Sequence, residues 1–375
     1  MGAWRRAGRA AVCAAVLGAA ARVAAESEVE PIARLSLEGG YDSNALYEGL
    51  TDRTTRISPE LGIRGRDHLW DLSAVYGADW IRYQRLQPDG AWSHRLRLAL
   101  DMRPTRRWRA LADARAAYAY DPVGLALQGI FRTGQQAAWI GRLRARATYE
   151  VAPRVEGLAE VTERYVRFND LTGGAVHGGA VAGMWSWTER LSVGAGYRLA
   201  AFQTFLLGGG VEIAYANGVE GRLSYELDRH LRLEASAGPE LFRGPHDTAT
   251  VPAATVTLYR DERDSDLRVT AHHGLGIGST AAPGLVTSID GGAVRRFGRS
   301  FLLRGDGGVW YSGVAPSGAH PVLGFAVAGE AAWLMSRGVR LSLVAARFAT
   351  LDQPDAERLS RTTVGLRLGW ELESR

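Results

Sequence analysis

Much of this chain alternates apolar and polar residues with a period of two, as a β-strand with one apolar face does. In residues 69–82 the even positions carry Trp70, Tyr76 and Trp80, whereas Asp71 and Asp79 occupy odd positions. Ten residues at about 3.3 Å each, tilted by about 40–45°, span roughly 25 Å, the height of the apolar band of an outer-membrane barrel. Seven segments carry two large apolar or aromatic residues at this ten-residue spacing: Trp70/Trp80, Trp92/Met102, Trp108/Tyr118, Trp139/Tyr149, Val155/Tyr165, Phe301/Tyr311 and Leu323/Trp333.

The pattern predicts an all-β fold, a transmembrane antiparallel up-and-down β-barrel with aromatic girdles at both rims. A soluble β-sandwich or propeller also has alternating strands, and the shared span of the seven segments favours the membrane barrel. Glu163 and His94 fall on the predicted lipid face, where a position near the rim or a bulge would accommodate them. The predicted girdle residues are Trp70, Trp80, Trp108, Tyr118, Trp139, Tyr149, Phe301, Tyr311 and Trp333.

Turn-forming residues divide the chain into strands. Eight short polar turns alternate with nine longer connections, which predicts about 18 strands, or 16 if one hairpin is miscounted. The glycine- and alanine-rich residues 171–183 are the weakest strand of the series. Outer-membrane barrels have short periplasmic turns and long extracellular loops, so we expect both termini in the periplasm.

Residues 1–25 have the pattern of a cleaved secretory signal peptide, with a basic start, an apolar run over 10–21 and small residues before Glu26. The mature chain, residues 26–375, is then a single outer-membrane barrel domain. Removing the four arginines of the signal lowers the formal charge from +5 to +1. Because no strongly basic domain remains, a nucleic-acid partner is not indicated.

Several kinds of chemistry are excluded or unsupported by the residue types present. The only cysteine, Cys13, lies in the signal, and all 45 basic residues are arginine, so thiolate sites, Walker A loops and Schiff-base lysines are excluded. The adjacent His272 and His273 would point to opposite faces of a strand, which disfavours a shared metal. We find no catalytic constellation and predict no metal and no cofactor.

The candidate site is therefore the lumen. Arg142, Arg144 and Arg146 occupy one face of the sixth predicted strand and could select an anionic solute. The alternative is that they pair with Glu156 and Glu160 on the next strand and act only as structural filling. The predicted lumen-lining residues are Arg142, Arg144, Arg146, Glu156, Glu160, Arg222, Glu226, Arg232 and Glu234.

Two short motifs add family resemblances. Thr363, Gly365, Leu368 and Trp370 resemble the β-signal by which the barrel-assembly machinery recognises outer-membrane proteins. Residues 40–44 (Gly-Tyr-Asp-Ser-Asn) resemble the entry motif of a family of β-barrel porins that accompany exopolysaccharide synthesis and export. That resemblance implies a role in polysaccharide export and export-system partners, whereas the local alternative is a strand end with an Asx-type turn.

The expected function is a porin-like outer-membrane channel that passes polar solutes, or exports a polysaccharide, by diffusion without covalent chemistry. Its partners would be outer-membrane lipid and the assembly machinery. One alternative is a plugged structural or interaction barrel that acts through its extracellular loops, such as 43–53 and 122–132. A more distant alternative is a barrel-embedded hydrolase, for which we can assemble no polar triad at either rim.

Overall fold

The structure, a computed structural model, describes residues 28–45, 49–119, 130, 137–245, 248–278, 283–313, 321–352 and 359–372. Within these residues the chain forms eighteen β-strands, and none of the described residues belongs to a helix long and apolar enough to cross a membrane. The strands are β1 Glu28–Ala45, β2 Leu50–Arg66, β3 Trp70–Tyr83, β4 Gln87–Thr105, β5 Trp108–Ala119, β6 Ala138–Ala152, β7 Val155–Phe168, β8 Gly173–Ser186, β9 Leu191–Phe205, β10 Val211–Glu226, β11 Leu231–Arg243, β12 Thr248–Glu262, β13 Ser265–Ile277, β14 Pro283–Phe297, β15 Phe301–Ser312, β16 Val322–Ser336, β17 Val339–Thr350 and β18 Ser360–Leu372.

Each strand pairs antiparallel with its neighbours in sequence, and β18 pairs with β1, which closes the sheet. The prediction of an 18-stranded antiparallel barrel is confirmed, and the 16-stranded alternative is wrong. The register, followed once around the ring, advances by about 22 residues along the strand direction. That offset corresponds to a strand tilt of about 40° and, for a circular cross-section, a diameter of about 34 Å between opposite strands.

The eight turns that the sequence predicts to be short all lie at one end of the barrel, because they join each even-numbered strand to the next odd-numbered one. In the turn from β10 to β11, the Asp228 carboxylate accepts hydrogen bonds from the backbone N–H groups of His230 (2.7 Å) and Leu231 (2.8 Å). These two backbone donors stabilise the charged form and lower the pKa of Asp228. We call this end of the barrel the turn end and the other the loop end.

At the loop end the strands extend further than the sequence predicts. The predicted loop 43–53 shrinks to the residues between Ala45 and Leu50, since β1 and β2 continue into it. Polar side chains at these strand ends are satisfied locally: the Asp52 carboxylate accepts backbone N–H groups of Arg53, Arg85 and Leu86 at 2.7–3.0 Å. Residues that are typical of loops therefore sit inside strands here.

The apolar residues of the alternation share one face of the sheet, which we call the outer face. Its large side chains are exposed although every strand is paired on both sides: Trp139 is 56% exposed and Trp333 is 55% exposed. Cross-strand partners match aromatic with aromatic, and the ring centroids of Trp108 and Tyr149 lie 4.9 Å apart. The nine predicted girdle residues all lie on this face, Trp70, Trp108, Tyr149, Phe301 and Trp333 towards the turn end and Trp80, Tyr118, Trp139 and Tyr311 towards the loop end.

Two polar exceptions on the outer face are paired. His177 Nδ1 lies 3.0 Å from a Glu163 carboxylate oxygen on the neighbouring strand. His94 Nδ1 lies 2.8 Å from the hydroxyl of Tyr76. The register runs without interruption at both positions, so no bulge is involved, and cross-strand pairing keeps these groups on the outer face.

Candidate functional site

The inner face carries most of the charge. Residues there form ion pairs between strands: Arg64 of β2 pairs with Asp71 of the neighbouring β3 at 2.6 Å, and Arg95 of β4 reaches across β3 to Glu60 of β2 at 2.7 Å. Towards the turn end, one cavity of about 850 Å³ lies against β1–β4 and β15–β18, and another of about 1050 Å³ lies between β2–β6 and β10–β12. Alternation places these side chains around water-accessible space rather than in a dry core.

The walls of the barrel approach each other closely along one line. Strands β8 and β13 are five positions apart in the ring, which would separate them by about 26 Å in a circular barrel. Their Cα atoms nevertheless come within 8 Å, and so do those of β9 and β14. The cross-section is therefore indented, and the lumen is narrower than the strand number alone implies.

Apolar side chains fill this indentation at the loop end. Ile277 of β13 packs with Val166 and Phe168 of β7, and Ile130 from the β5–β6 connection joins the same cluster. A second cluster is built on Phe202 and Phe242, and Leu275 of β13 packs against it. We call these two clusters the apolar constriction. Because they lie at the loop end, the polar cavities at the turn end are partly closed off on this side of the barrel.

The three arginines predicted on the sixth strand lie on the inner face of β6. Arg144 Nε donates to a Glu160 carboxylate oxygen at 2.9 Å, so the predicted structural pairing is present for this residue. The side chains of Arg142 and Arg146 form no hydrogen bond or ion pair with any other described residue. Arg268 of β13 and Asp290 of β14 lie near enough to Arg142 to interact with it electrostatically.

The other predicted lumen residues lie in or beside a charged network. Arg198, which the sequence analysis missed, bridges Glu220 at 2.5 Å and Glu240 at 2.9 Å. Arg222 Nε donates to Glu220 at 2.6 Å, and Arg232 pairs with its neighbour Glu234 at 2.5 Å. Eight of the predicted lumen residues line the cavity of about 1050 Å³ or an adjoining one of about 350 Å³. They are Arg144, Arg146, Glu156, Glu160, Arg222, Glu226, Arg232 and Glu234.

The register aligns four arginines side by side across four strands. Arg97 of β4 lies opposite Arg115 of β5, Arg115 opposite Arg142 of β6, and Arg142 opposite Arg164 of β7. All four are on the inner face, and Arg97, Arg115 and Arg142 are exposed within the lumen. Like charges directly opposite one another destabilise a sheet. We call these four residues the arginine row. Because they lie side by side, they concentrate positive charge at one height of the lumen, where it can attract anions.

The motif at residues 40–44 lies where β1 meets β18, the seam that closes the barrel. Asp42 and Arg361 are each only 1% exposed, and Arg361 Nη2 lies 2.6 Å from the Asp42 carboxylate. The same guanidinium nitrogen donates to the hydroxyl of Tyr83 at 2.9 Å. Asp42 is thus half of a buried ion pair that joins the first strand to the last.

The rest of the motif also contacts the last strand. The backbone N–H of Asn44 donates to the Asp42 carboxylate at 3.1 Å, which is the Asx turn that the sequence predicts as the local alternative. Asn44 Nδ2 donates to the carbonyl of Ser360 at 2.9 Å, and the Ser43 hydroxyl accepts the backbone N–H of Thr362 at 2.9 Å. Within the described residues, the motif therefore serves to hold the first strand against the last.

Two further ion pairs follow the same seam towards the turn end, Glu38 with Arg367 at 2.7 Å and Arg34 with Glu371 at 2.6 Å. The residues of the predicted assembly signal divide between the faces of β18. Thr363 and Gly365 are opposite Asp42 and Gly40 on the inner face, whereas Leu368 and Trp370 are on the outer face opposite Leu37 and Leu35.

Among the described residues, no group of three or more histidine, cysteine, aspartate or glutamate side chains is arranged to hold a metal ion. Sequence reasoning missed the arginine row, Arg198 with its two glutamates, and the buried Asp42–Arg361 pair. All three depend on which residues face each other across strands. Alternation assigns a residue to a face, but it does not give the register between strands.

Comparison with known proteins adds little beyond the architecture. No family model matches the chain, and no curated protein matches it. Among solved structures, it is similar to Pseudomonas aeruginosa OccK5 (OpdH), with 9% identity and a TM-score of 0.44 over 93% of this chain and 99% of that one. It is also similar to a BenF-like porin from Pseudomonas fluorescens Pf-5, with 7% identity and a TM-score of 0.43 over 93% and 99% of the two chains. Similarity at this level supports no conclusion about a solute.

Proposed function

We propose that this barrel lies in a bacterial outer membrane, with the turn end and both termini in the periplasm, and acts as a porin-like channel for small polar solutes. The observation that carries the proposal is the division of one closed sheet into an apolar outer face and a charged inner face around cavities. Only an environment with lipid outside and water inside favours both faces at once. Passage would be electrostatically filtered diffusion.

Planar-bilayer recording tests the channel directly. Purified, folded protein is expected to produce discrete ion-conducting steps, and silence after verified insertion would contradict the proposal. The arginine row supports a preference for anions, which a reversal potential in a KCl gradient measures. Replacing Arg115 and Arg142 together with glutamine should move the reversal potential towards that of a non-selective pore.

The matched control for that double variant is Arg109→Gln with Arg232→Gln. Both control arginines are on the inner face, but they lie near the turn end, away from the row, and pair with Asp101 (2.9 Å) and Glu234 (2.5 Å). It removes the same number of charges from the lumen. A similar loss of selectivity in both double variants would show that net charge, and not the row, determines the preference.

Export of a polysaccharide is a finer proposal, and it rests on the resemblance of residues 40–44 alone. The contacts of Asp42, Ser43 and Asn44 at the seam account for those residues without a polymer ligand. The indented wall and the apolar constriction favour small solutes over a chain. Liposome-swelling rates with glucose and with a linear oligosaccharide distinguish the two, because a polysaccharide exporter should admit both.

The apolar constriction also favours a second candidate, a closed barrel that works through its loop-end surface with any export or surface partner. It predicts no conductance from the wild type and measurable conductance from Phe202→Ala, which removes a buried ring from the constriction. A wild type that conducts steadily would exclude this candidate.

We also propose that the barrel-assembly machinery recognises β18 through Thr363, Gly365, Leu368 and Trp370. Trp370→Ala should slow insertion by reconstituted assembly machinery. The control is Trp333→Ala, which removes an outer-face tryptophan near the same rim but outside the motif. Equal slowing of both variants would indicate loss of a girdle aromatic and not of a recognition signal.

A further inference from the structure

On four strands, an arginine adjoins a buried aromatic residue at the loop end. The aromatic rings face the inside of the barrel and are 2–6% exposed. Because successive side chains alternate, the adjoining arginine must project from the outer face. The pairs are Arg82–Tyr83 on β3, Arg167–Phe168 on β7, Phe242–Arg243 on β11 and Arg347–Phe348 on β17.

A fifth arginine strengthens one of these positions. Thr55 of β2 is the cross-strand partner of Arg82, and Arg53 lies two residues further towards the loop end on the same face. Arg53 and Arg82 are therefore diagonal neighbours, whose Cα atoms lie about 7–8 Å apart in an antiparallel sheet. Two long, exposed guanidinium side chains at this spacing can bind one doubly charged phosphate group together. Tyr41, opposite Arg53 on β1, adds a hydroxyl beside them.

These outer arginines lack the carboxylate partners that most inner arginines have. Within the part of the chain that the structure describes, none of the five forms an ion pair. At the turn end, the outer-face Arg260 pairs with Glu262 at 2.5 Å. Aromatic contacts occur at both ends, since Arg167 lies over the ring of Phe205 and Arg295 lies over the ring of Phe297. The two ends therefore differ in the carboxylate pairing of their outer-face arginines.

The height of the outer arginines matches a lipid headgroup. Arg82 lies two residues beyond the girdle residue Trp80, and Arg167 lies two residues beyond Tyr165, which places each about 5 Å past the apolar band. Arg167 also has a buried Nε without a hydrogen-bond partner. A guanidinium at this depth gains more from an anionic headgroup than one that projects into free solvent.

We propose that the outer arginines bind the phosphate groups of an anionic lipid in the outer leaflet, with Arg53 and Arg82 as the principal site. The surface fits a lipid whose headgroup carries phosphate monoesters, because such groups accept several charge-assisted hydrogen bonds at once. The assignment of leaflet rests on the orientation proposed above. The ligand class and the site rest on the register and the unpaired guanidinium groups.

Native mass spectrometry of the purified full chain in a non-ionic detergent tests the site, with diphosphoryl lipid A as the probe. Arg53→Gln with Arg82→Gln should weaken binding by about tenfold or more, since two charged hydrogen-bonding groups are lost. The matched control is Arg260→Gln with Arg295→Gln, which removes two outer-face arginines from the turn end and should change affinity by less than about twofold.

Equal weakening in both double variants, or equally tight binding of the dephosphorylated lipid, would overturn the proposal. Heat-modifiable mobility on gels confirms that each variant is folded before the titration. A variant with intact conductance and lost lipid binding supports the lipid site separately from the channel. A protein that binds the lipid through Arg53 and Arg82 but never conducts would overturn the channel and leave the lipid site standing.

Discussion

The seam between β1 and β18 provides a graded test of the packing, because its three ion pairs differ in burial. Asp42 and Arg361 are each 1% exposed, whereas the side chains of Arg34 and Glu371 are 43% and 49% exposed. Asp42→Asn keeps the size of the side chain but removes the carboxylate charge that faces the buried Arg361 guanidinium. Loss of one partner from a buried pair costs about 3–5 kcal/mol, whereas an exposed pair contributes about 0.2–1 kcal/mol.

We therefore expect Asp42→Asn to lower the free energy of unfolding by about 3–5 kcal/mol and Glu371→Gln by less than about 1 kcal/mol. Urea unfolding in detergent micelles, followed by tryptophan fluorescence, measures both. Removing both buried charges, as in Asp42→Asn with Arg361→Gln, should recover part of the loss, because neither charge of the pair then has to be buried. If Asp42→Asn and Glu371→Gln shift the unfolding midpoint equally, burial does not determine the strength of the seam and the reasoning fails.

Three further outcomes are expected. Val327→Arg puts a charge on the outer face and should destabilise the folded barrel in bilayers by about 2–4 kcal/mol. Ala328→Arg, one residue further along but facing inwards, should destabilise it less. Equal losses of stability in a urea titration would contradict the assignment of faces. Phe202→Ala should raise single-channel conductance by opening the apolar constriction, and it should lower the free energy of unfolding by about 3–5 kcal/mol. An unchanged conductance would show that the limiting constriction lies elsewhere. Gly40→Val should impair closure of the barrel, because even a Cβ atom at Gly40 would lie 2.7 Å from the Val364 carbonyl oxygen. The assay is loss of the heat-modifiable form on gels. Normal folding of this variant would show that the two strands can move apart.

The strand count was predictable because it depends on local signals. The eight short turns separate segments whose alternation is clear, and even the weakly patterned residues 171–183 supply most of β8, which is Gly173–Ser186. The face on which the predicted girdle residues lie was equally predictable, since an even separation keeps two residues on one face whatever their neighbours are. Loop lengths were overestimated because polar residues such as Asp52 bond to backbone amides inside the strand ends.

Features that depend on contact between distant parts of the chain could not be predicted. Arg97 and Arg164 are separated by three hairpin connections, and only the register places them in one row with Arg115 and Arg142. The approach of β8 to β13 likewise follows from packing of apolar residues across the lumen, which no local pattern indicates. For Asp42, the sequence indicated the local turn and gave no sign of its partner, which lies 319 residues further along the chain.

The central claim is that one closed sheet shows alternate residues to lipid and to water, and single cysteines along β16 test it most directly. The only native cysteine lies in the predicted signal, so each introduced thiol would be unique in the mature chain. In protein reconstituted into bilayers, Ala328→Cys and Glu330→Cys should react with a small water-soluble thiol reagent, whereas Val327→Cys and Gly329→Cys should be protected. A two-residue period of labelling supports the account, and uniform labelling or uniform protection along the strand would contradict it.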